Sequence, residues 1–180
     1  MKIVNFSRPK FREPAKLRPW WVPVNFIFDD GTEISLDLTE EVMKFLEKRL
    51  VSEQSDSQFI VFATTEEVVA LNVTRLTHWT PDMKSLGLVD SLPGKEGDIP
   101  EPVSVHCANL AAAVQFQCAA EETSNVLKPL HTAMLDLNAE DRQAPAFLKV
   151  PDEKMQPHFF RKSNVLLFRV PKRIIPDVMD

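Results

Sequence analysis

Four residues of this chain are of the types that hold zinc: His106, Cys107, Cys118 and His131. Structural zinc sites draw their donors from short, regular spacings that let four ligands converge tetrahedrally. Here two of the donors are adjacent, and adjacent residues of a strand point to opposite faces. The thiols are therefore expected as small apolar side chains in a core and the histidines near the surface. Cys107 with His131 would supply a nucleophile and a base, but no motif surrounds either residue. The acidic pairs Asp29-Asp30, Glu40-Glu41, Glu66-Glu67 and Glu121-Glu122 stand at expected turns and helix starts. Turn chemistry and the helix dipole account for carboxylates there, and neighbouring side chains diverge too far to share acid–base work. The sequence assigns no catalytic residue, no metal and no cofactor.

Nucleotide chemistry of the common kinds is excluded as well. The chain has 14 prolines but only four glycines, Gly31, Gly87, Gly94 and Gly97, and none of them builds a phosphate loop. Such loops need glycines so that backbone N–H groups can approach phosphate. Gly94-Lys95 is followed by Glu96, a charge that repels phosphate.

Charge is sorted along the chain. Residues 1–18 carry six cations against Glu13 alone, a net +5, and residues 154–173 carry six cations and no acid. The stretch 19–153 has a net charge of −14, and the whole chain −5. The candidate binding residues are Arg8, Lys10, Arg12 and Arg18 of the N-terminal arm, the adjoining Trp20 and Trp21, and Arg169, Lys172 and Arg173 near the C-terminus. Cations interleaved with aromatic rings suit phosphate contacts and base stacking. The same cations also suit neutralisation of the acidic middle, within one molecule or across a subunit boundary. The net negative charge favours the second use, because polyanion binding needs a positive local field.

Arg8-x-x-x-Arg12 followed by Asp37-x-Thr39 resembles the Arg-x-x-x-Arg … Asp-x-Ser-x-x-Gly pattern of PilZ domains, which bind a cyclic dinucleotide. Val42 stands where that motif has glycine, and Thr39 opens a helix rather than continuing a loop. No site residue is carried over from the resemblance.

Periodicity supplies the elements. Residues 1–19 have no sustained period and read as an extended arm. Trp21, Val22, Val24, Phe26 and Phe28 show mostly alternating apolar positions, Asp30-Gly31 is a hairpin turn signature, and Ile34, Leu36 and Leu38 return as a strand. From Asp37 the period changes: Asp37 or Thr39 can cap a helix that places Val42, Phe45, Leu46 and Leu50 on one face. Phe59–Phe62 and Val68–Leu76 read as strands. Residues 77–102 hold four prolines and three of the four glycines and read as a connecting segment. The pattern then recurs: Val103 and Val105; Val114, Phe116 and Cys118; a helix from Glu121 through Leu137; strands at Phe147–Val150 and Val165–Val170, with Phe159-Phe160 in a third. Ile34-Ser-Leu-Asp-Leu aligns without gaps onto Val114-Gln-Phe-Gln-Cys, which suggests a tandem duplication. The rival is one long helix over Asn109–Lys128, favoured by its alanines.

The resulting expectation is an α+β protein of two β-β-α-β-β units with mainly antiparallel sheets and one helix each. Its divisions are a basic arm (1–19), a first unit (20–80), a linker (81–101), a second unit (102–176) and an acidic tail (177–180). In the C-terminal strand, simple alternation puts Val165, Leu167, Arg169 and Arg173 on one face. No stretch approaches the roughly 18 apolar residues of a membrane helix, and the N-terminus lacks the apolar run of a secretory signal. These features point to the cytoplasm and to reduced cysteines. The function expected is a non-catalytic binding or assembly module that self-associates or serves a larger protein complex. Nucleic-acid binding through the two basic ends is the alternative, and an enzyme of unrecognised class the third.

Overall fold

The computed structural model describes residues 20–52, 58–64, 66–85, 87–88, 102–117, 130, 132–134, 136–137, 145–152, 154 and 156–171. The arm, most of the linker, the acidic tail, Cys118, Glu121-Glu122 and His131 lie outside them. The elements in order are β1 (Trp20–Phe28), β2 (Glu33–Thr39), α1 (Glu40–Ser52), β3 (Phe59–Ala63), β4 (Glu67–Asn72), β5 (Leu76–Pro81), β6 (Gly87–Leu88), β7 (Val103–Cys107) and β8 (Val114–Phe116). A helical segment within 130–137, α2, follows. The chain closes with β9 (Phe147–Pro151), β10 (Pro157–Arg161) and β11 (Val165–Pro171). The protein is thus mixed α+β, and every described strand pair is antiparallel. No described helix is long and apolar enough to cross a membrane.

The β1–β2 turn follows directly from its residues. Gly31 sits at φ +82°, a left-handed conformation that glycine adopts without penalty, while the Asp30 carboxylate accepts the Thr32 N–H at 3.0 Å. β2 alternates buried Ile34, Leu36 and Leu38 with exposed polar residues. Thr39 ends that strand and α1 begins at Glu40, with Glu40 and Glu41 in the first turn where the helix dipole favours acids.

A five-stranded sheet in the order β3-β4-β11-β7-β8 forms the middle layer. On one face Ile60, Phe62, Val69, Leu71 and Leu167 pack against Val22, Val24, Phe26 and Phe28 of β1 and against α1. On the other, Phe59, Ala70, Val105, Phe168 and Val170 meet Leu130, Met134 and Leu137 of α2 and Leu148 and Val150 of β9. β1, β2, β5 and β6 make the second sheet, and β9 and β10 a separate two-stranded ribbon.

Three expectations need correction. The two halves do not each keep their own sheet: β11 of the second half lies between β4 of the first and β7, because a strand apolar on both faces is satisfied only at the centre of a covered sheet. Residues 76–81 form a strand rather than closing the preceding one or opening a linker. Trp79 stacks on Phe26 with centroids 6.4 Å apart and fixes that strand to β1. Finally, Val165 does not share a face with Leu167 and Arg169. The β11–β7 register shifts between Val165 and Leu167, so this bulge returns Val165 to the face of Phe168 and Val170. Of the two readings of 109–128, the strand at Val114–Phe116 is the one observed.

The halves nevertheless share registers. β1 pairs with β2 and β5, as β7 pairs with β8 and β11. Val24↔Leu36 and Phe26↔Ile34 match Val103↔Phe116 and Val105↔Val114. The β1–β5 ladder breaks register between Ile27 and Phe28, at the place matching the β7–β11 bulge. Phe59↔Asn72 through Ala63↔Val68 match Phe147↔Arg161 through Pro151↔Pro157. Two loop hydrogen bonds recur: Val73 N–H to Gln58 C=O and Lys162 N–H to Ala146 C=O, both 3.0 Å; and Asp29 N–H to Arg75 C=O (2.9 Å) and Ala108 N–H to Asn164 C=O (2.8 Å).

The bulge depends on one buried polar residue. Asn72, fully buried, donates its amide to the Val165 carbonyl at 2.7 Å and accepts from the Thr74 N–H and hydroxyl. Asn72→Leu strands that carbonyl in the core and is expected to cost about 1–3 kcal/mol, read from urea unfolding. A loss within experimental error would show that the bulge does not need this bond.

Candidate functional site

Of the expected binding residues, Arg8, Lys10, Arg12, Arg18, Lys172 and Arg173 lie outside the described residues. The three described ones are not brought together as an open surface. Arg169 is half-buried and donates from Nε and one terminal nitrogen to the two Glu67 oxygens, both at 2.8 Å. This fork-to-fork pair occupies the guanidinium face that a phosphate would need. Trp20 packs against the apolar core. Trp21 lies flat over Gly87, where a Cβ would come within 2.7 Å of Nε1, and its buried indole N–H meets no acceptor among the described residues. Both rings are partly buried.

The residues read for chemistry are likewise dispersed. His106 feels the Arg169 charge, whereas Cys107 packs against the opposite core. Burial, and secondarily Arg169, holds the His106 imidazole below its ordinary pKa. Burial pushes the Cys107 thiol up, which disfavours the nucleophilic thiolate. Among the described residues no three His, Cys, Asp or Glu side chains are grouped to hold a metal. Asp29 and Asp30 are structural: Asp29 receives Arg75 bidentately, Arg75 also donates to the Ser163 carbonyl, and Asp30 accepts the Asn109 N–H. Together they tie the loop ends of both sheets.

Among the described residues, the outward face of the β9–β10 ribbon carries two exposed aromatic rings, Phe147 and Phe159. Leu148 and Val150 alternate inward and are buried, leaving Phe147 and Lys149 outward. On β10 the outward residues are Pro157, Phe159 and Arg161, all exposed. Phe159 is opposite Lys149, and Arg161 opposite Phe147. The Arg161 guanidinium sits 5.9 Å from the Phe147 ring centroid, within cation–π range. Two aromatic rings and two cations thus share a flat face with no carboxylate among them. In the sequence these positions are Phe147-x-Lys149 and Phe159-x-Arg161 flanking apolar residues, and the net charge of 154–173 includes Arg161 without revealing the rings beside it.

The underside of the ribbon packs against the core. His158 and Phe160 contact Phe116 of β8, at 4.7 Å and 6.0 Å between centroids. Lys162 is buried, with Nζ on the Asp136 carbonyl at 3.2 Å; burial pushes its ammonium pKa down, against the pull of Asp136. The turn is organised by Asp152, which accepts N–H groups of Lys154 and Gln156, both at 2.9 Å, and faces His158 at 3.4 Å. Partial desolvation works against its ionisation, but the Gln156, His158 and Lys154 bonds together hold the Asp152 carboxyl below its ordinary pKa.

A depressed carboxylate contributes fully above its unfolded pKa of about 4 and loses that contribution as pH falls through the folded value. Asp152→Ala is therefore expected to lower hydrogen-exchange protection of the Lys154 and Gln156 amides at neutral pH to the level the native protein shows in strong acid. Unchanged protection would mean that the strands alone shape the turn. Compared with protein-family models, curated proteins and solved structures, the chain matches none, so its function is read from its own residues.

Proposed function

We propose that this chain is a non-catalytic binding and assembly module, built from a duplicated strand–helix unit, that docks through the outward face of the β9–β10 ribbon. One comparison carries the reading. Register for register, Phe147 and Phe159 of the second half match Phe59 and Ala70 of the first. Phe59 and Ala70 are 2 % and 0 % exposed, while Phe147 and Phe159 are 47 % and 62 % exposed. The same position in the repeat is covered once and bare once, and large apolar groups left bare on one face, here diagonal across the ribbon, mark interaction surfaces. The matched hairpin registers, bulges and loop hydrogen bonds support the duplication. The engaged guanidinium of Arg169 and the packed Trp20 and Trp21 favour assembly over nucleic-acid binding through the chain ends. The raised Cys107 pKa supports a structural thiol over a catalytic one.

Hydroxyl-radical labelling of Phe147 and Phe159 tests the surface without knowledge of the partner. Labelling is measured on purified protein over a concentration series and again in cell extract. Docking predicts that both rings become protected in at least one of these conditions while buried Phe116 stays constant. Equal labelling of the two rings throughout would contradict the reading.

A further inference from the structure

Building on that docking surface, we propose that its occupant is a second copy of this chain, with β10 of one copy pairing antiparallel along the open edge of β5 of the other. The repeat itself specifies the contact. In the first half the β3–β4 hairpin does not stand alone; β4 pairs with β11, with Phe168 opposite Ala70 and Arg169 opposite Val69. The shared registers make β5 the counterpart of β11 and β10 the counterpart of β4. The counterpart of the β4–β11 ladder is thus a β10–β5 ladder, with Trp79 opposite Phe159 and Thr80 opposite His158. The chain does not make it: among the described residues β5 pairs with β1 alone and β10 with β9 alone.

Both edges present the groups such a ladder needs. Asp82 N–H bonds the Pro23 carbonyl, and the two-residue period of an antiparallel ladder then turns the N–H and C=O of Trp79 away from β1. Likewise Lys162 N–H bonds Ala146 and Asp152 N–H bonds Gln156, which turns the N–H and C=O of Phe159 away from β9. Trp79 and Phe159 can therefore exchange two hydrogen bonds, as a directly opposed pair does. The same register sets Pro81 against Pro157, which have no N–H to give, so the ladder ends there. Proline at an edge limits pairing, and the expected association is weak and concentration-dependent.

Side-chain chemistry chooses between partners. Trp79 belongs to the inward face of its sheet, so pairing carries exposed Phe159 and Phe147 alongside it and extends that apolar layer. A symmetric contact of ribbon face on ribbon face is disfavoured, because it would set Lys149 and Arg161 against their own copies. Pairing β10 with β5 is a contact between unlike surfaces. Used reciprocally it closes a two-fold dimer with two ladders.

The test is disulfide trapping in a Cys107→Ala, Cys118→Ser background. Thr80→Cys protein mixed with His158→Cys protein should give a cross-linked dimer on mild oxidation, whereas Thr80→Cys mixed with Lys149→Cys should not, since β9 lies on the far side of the ribbon. Light scattering of the unmodified chain should rise toward twice the chain mass with concentration. Phe159→Pro removes the outward N–H while sparing the ribbon's own bonds, and should abolish that rise with an unchanged circular dichroism spectrum. A constant monomer mass, or cross-linking as strong through Lys149→Cys, overturns the β5–β10 contact. If Phe147 and Phe159 are nevertheless protected in extract, the docking surface stands with a different occupant. Loss of that protection as well would remove both.

Discussion

Six of the seven residues of β11 are buried, so this strand requires apolar cover on both faces and a paired neighbour on each edge. That requirement organises the molecule. β4 and β7 supply the edges. The β1–β2–β5 sheet with α1 covers one face, and α2 with the β9–β10 ribbon covers the other. A strand buried on both sides can carry polar groups only where they are paired, and each exception has its partner. The bulge at Leu166 frees the Val165 carbonyl, and Asn72 answers it. Arg169 breaks the apolar run near the strand's end and is met by Glu67. One strand from the end of the sequence thereby joins the two halves into a single body.

The two halves share strand registers, and the place where that correspondence stops is the ribbon proposed as the docking face. Matching ladders, a matching bulge and matching loop bonds make the first half a template for the second. Where the second half follows the template, its residues are accounted for by packing. Where it departs, at β9 and β10, the ribbon stands as a separate two-stranded sheet and packs against Phe116. Among the described residues, the departure leaves one ribbon face bare and one strand edge of β5 without a neighbour. Neither would be conspicuous alone, because isolated exposed aromatics and edge strands are ordinary. Their correspondence with a covered face and a paired edge elsewhere in the same chain gives them meaning.

Much of the fold was legible from periodicity. Alternation marks β1, β2 and β7, Asp30-Gly31 marks the first turn, and the change of period from Asp37 marks α1, whose first residue is Glu40. The gapless match of Ile34 onto Val114 coincides with the observed registers. Three features were not legible, for physical reasons. β5 turns only Leu76 and Trp79 to the core, and its exposed Thr77, His78 and Thr80 give no apolar rhythm. The bulge in β11 falls within Val165-Leu166-Leu167-Phe168, where every residue is apolar and alternation carries no phase. The β4–β11 pairing joins residues about a hundred positions apart, and local pattern does not encode such partners. The ion pair of Arg169 with Glu67 depends on that pairing, so a cation that looked available in the sequence is occupied in the fold.

The central claim is that both halves stand or fall together on β11. Native-state hydrogen exchange in low denaturant tests it most directly. The amides of β4, β7 and β11 should exchange only through global opening, with one common free energy and one denaturant dependence. Two separate classes, one for residues 20–81 and another for 103–171, with different denaturant slopes would show two independent units and contradict the account.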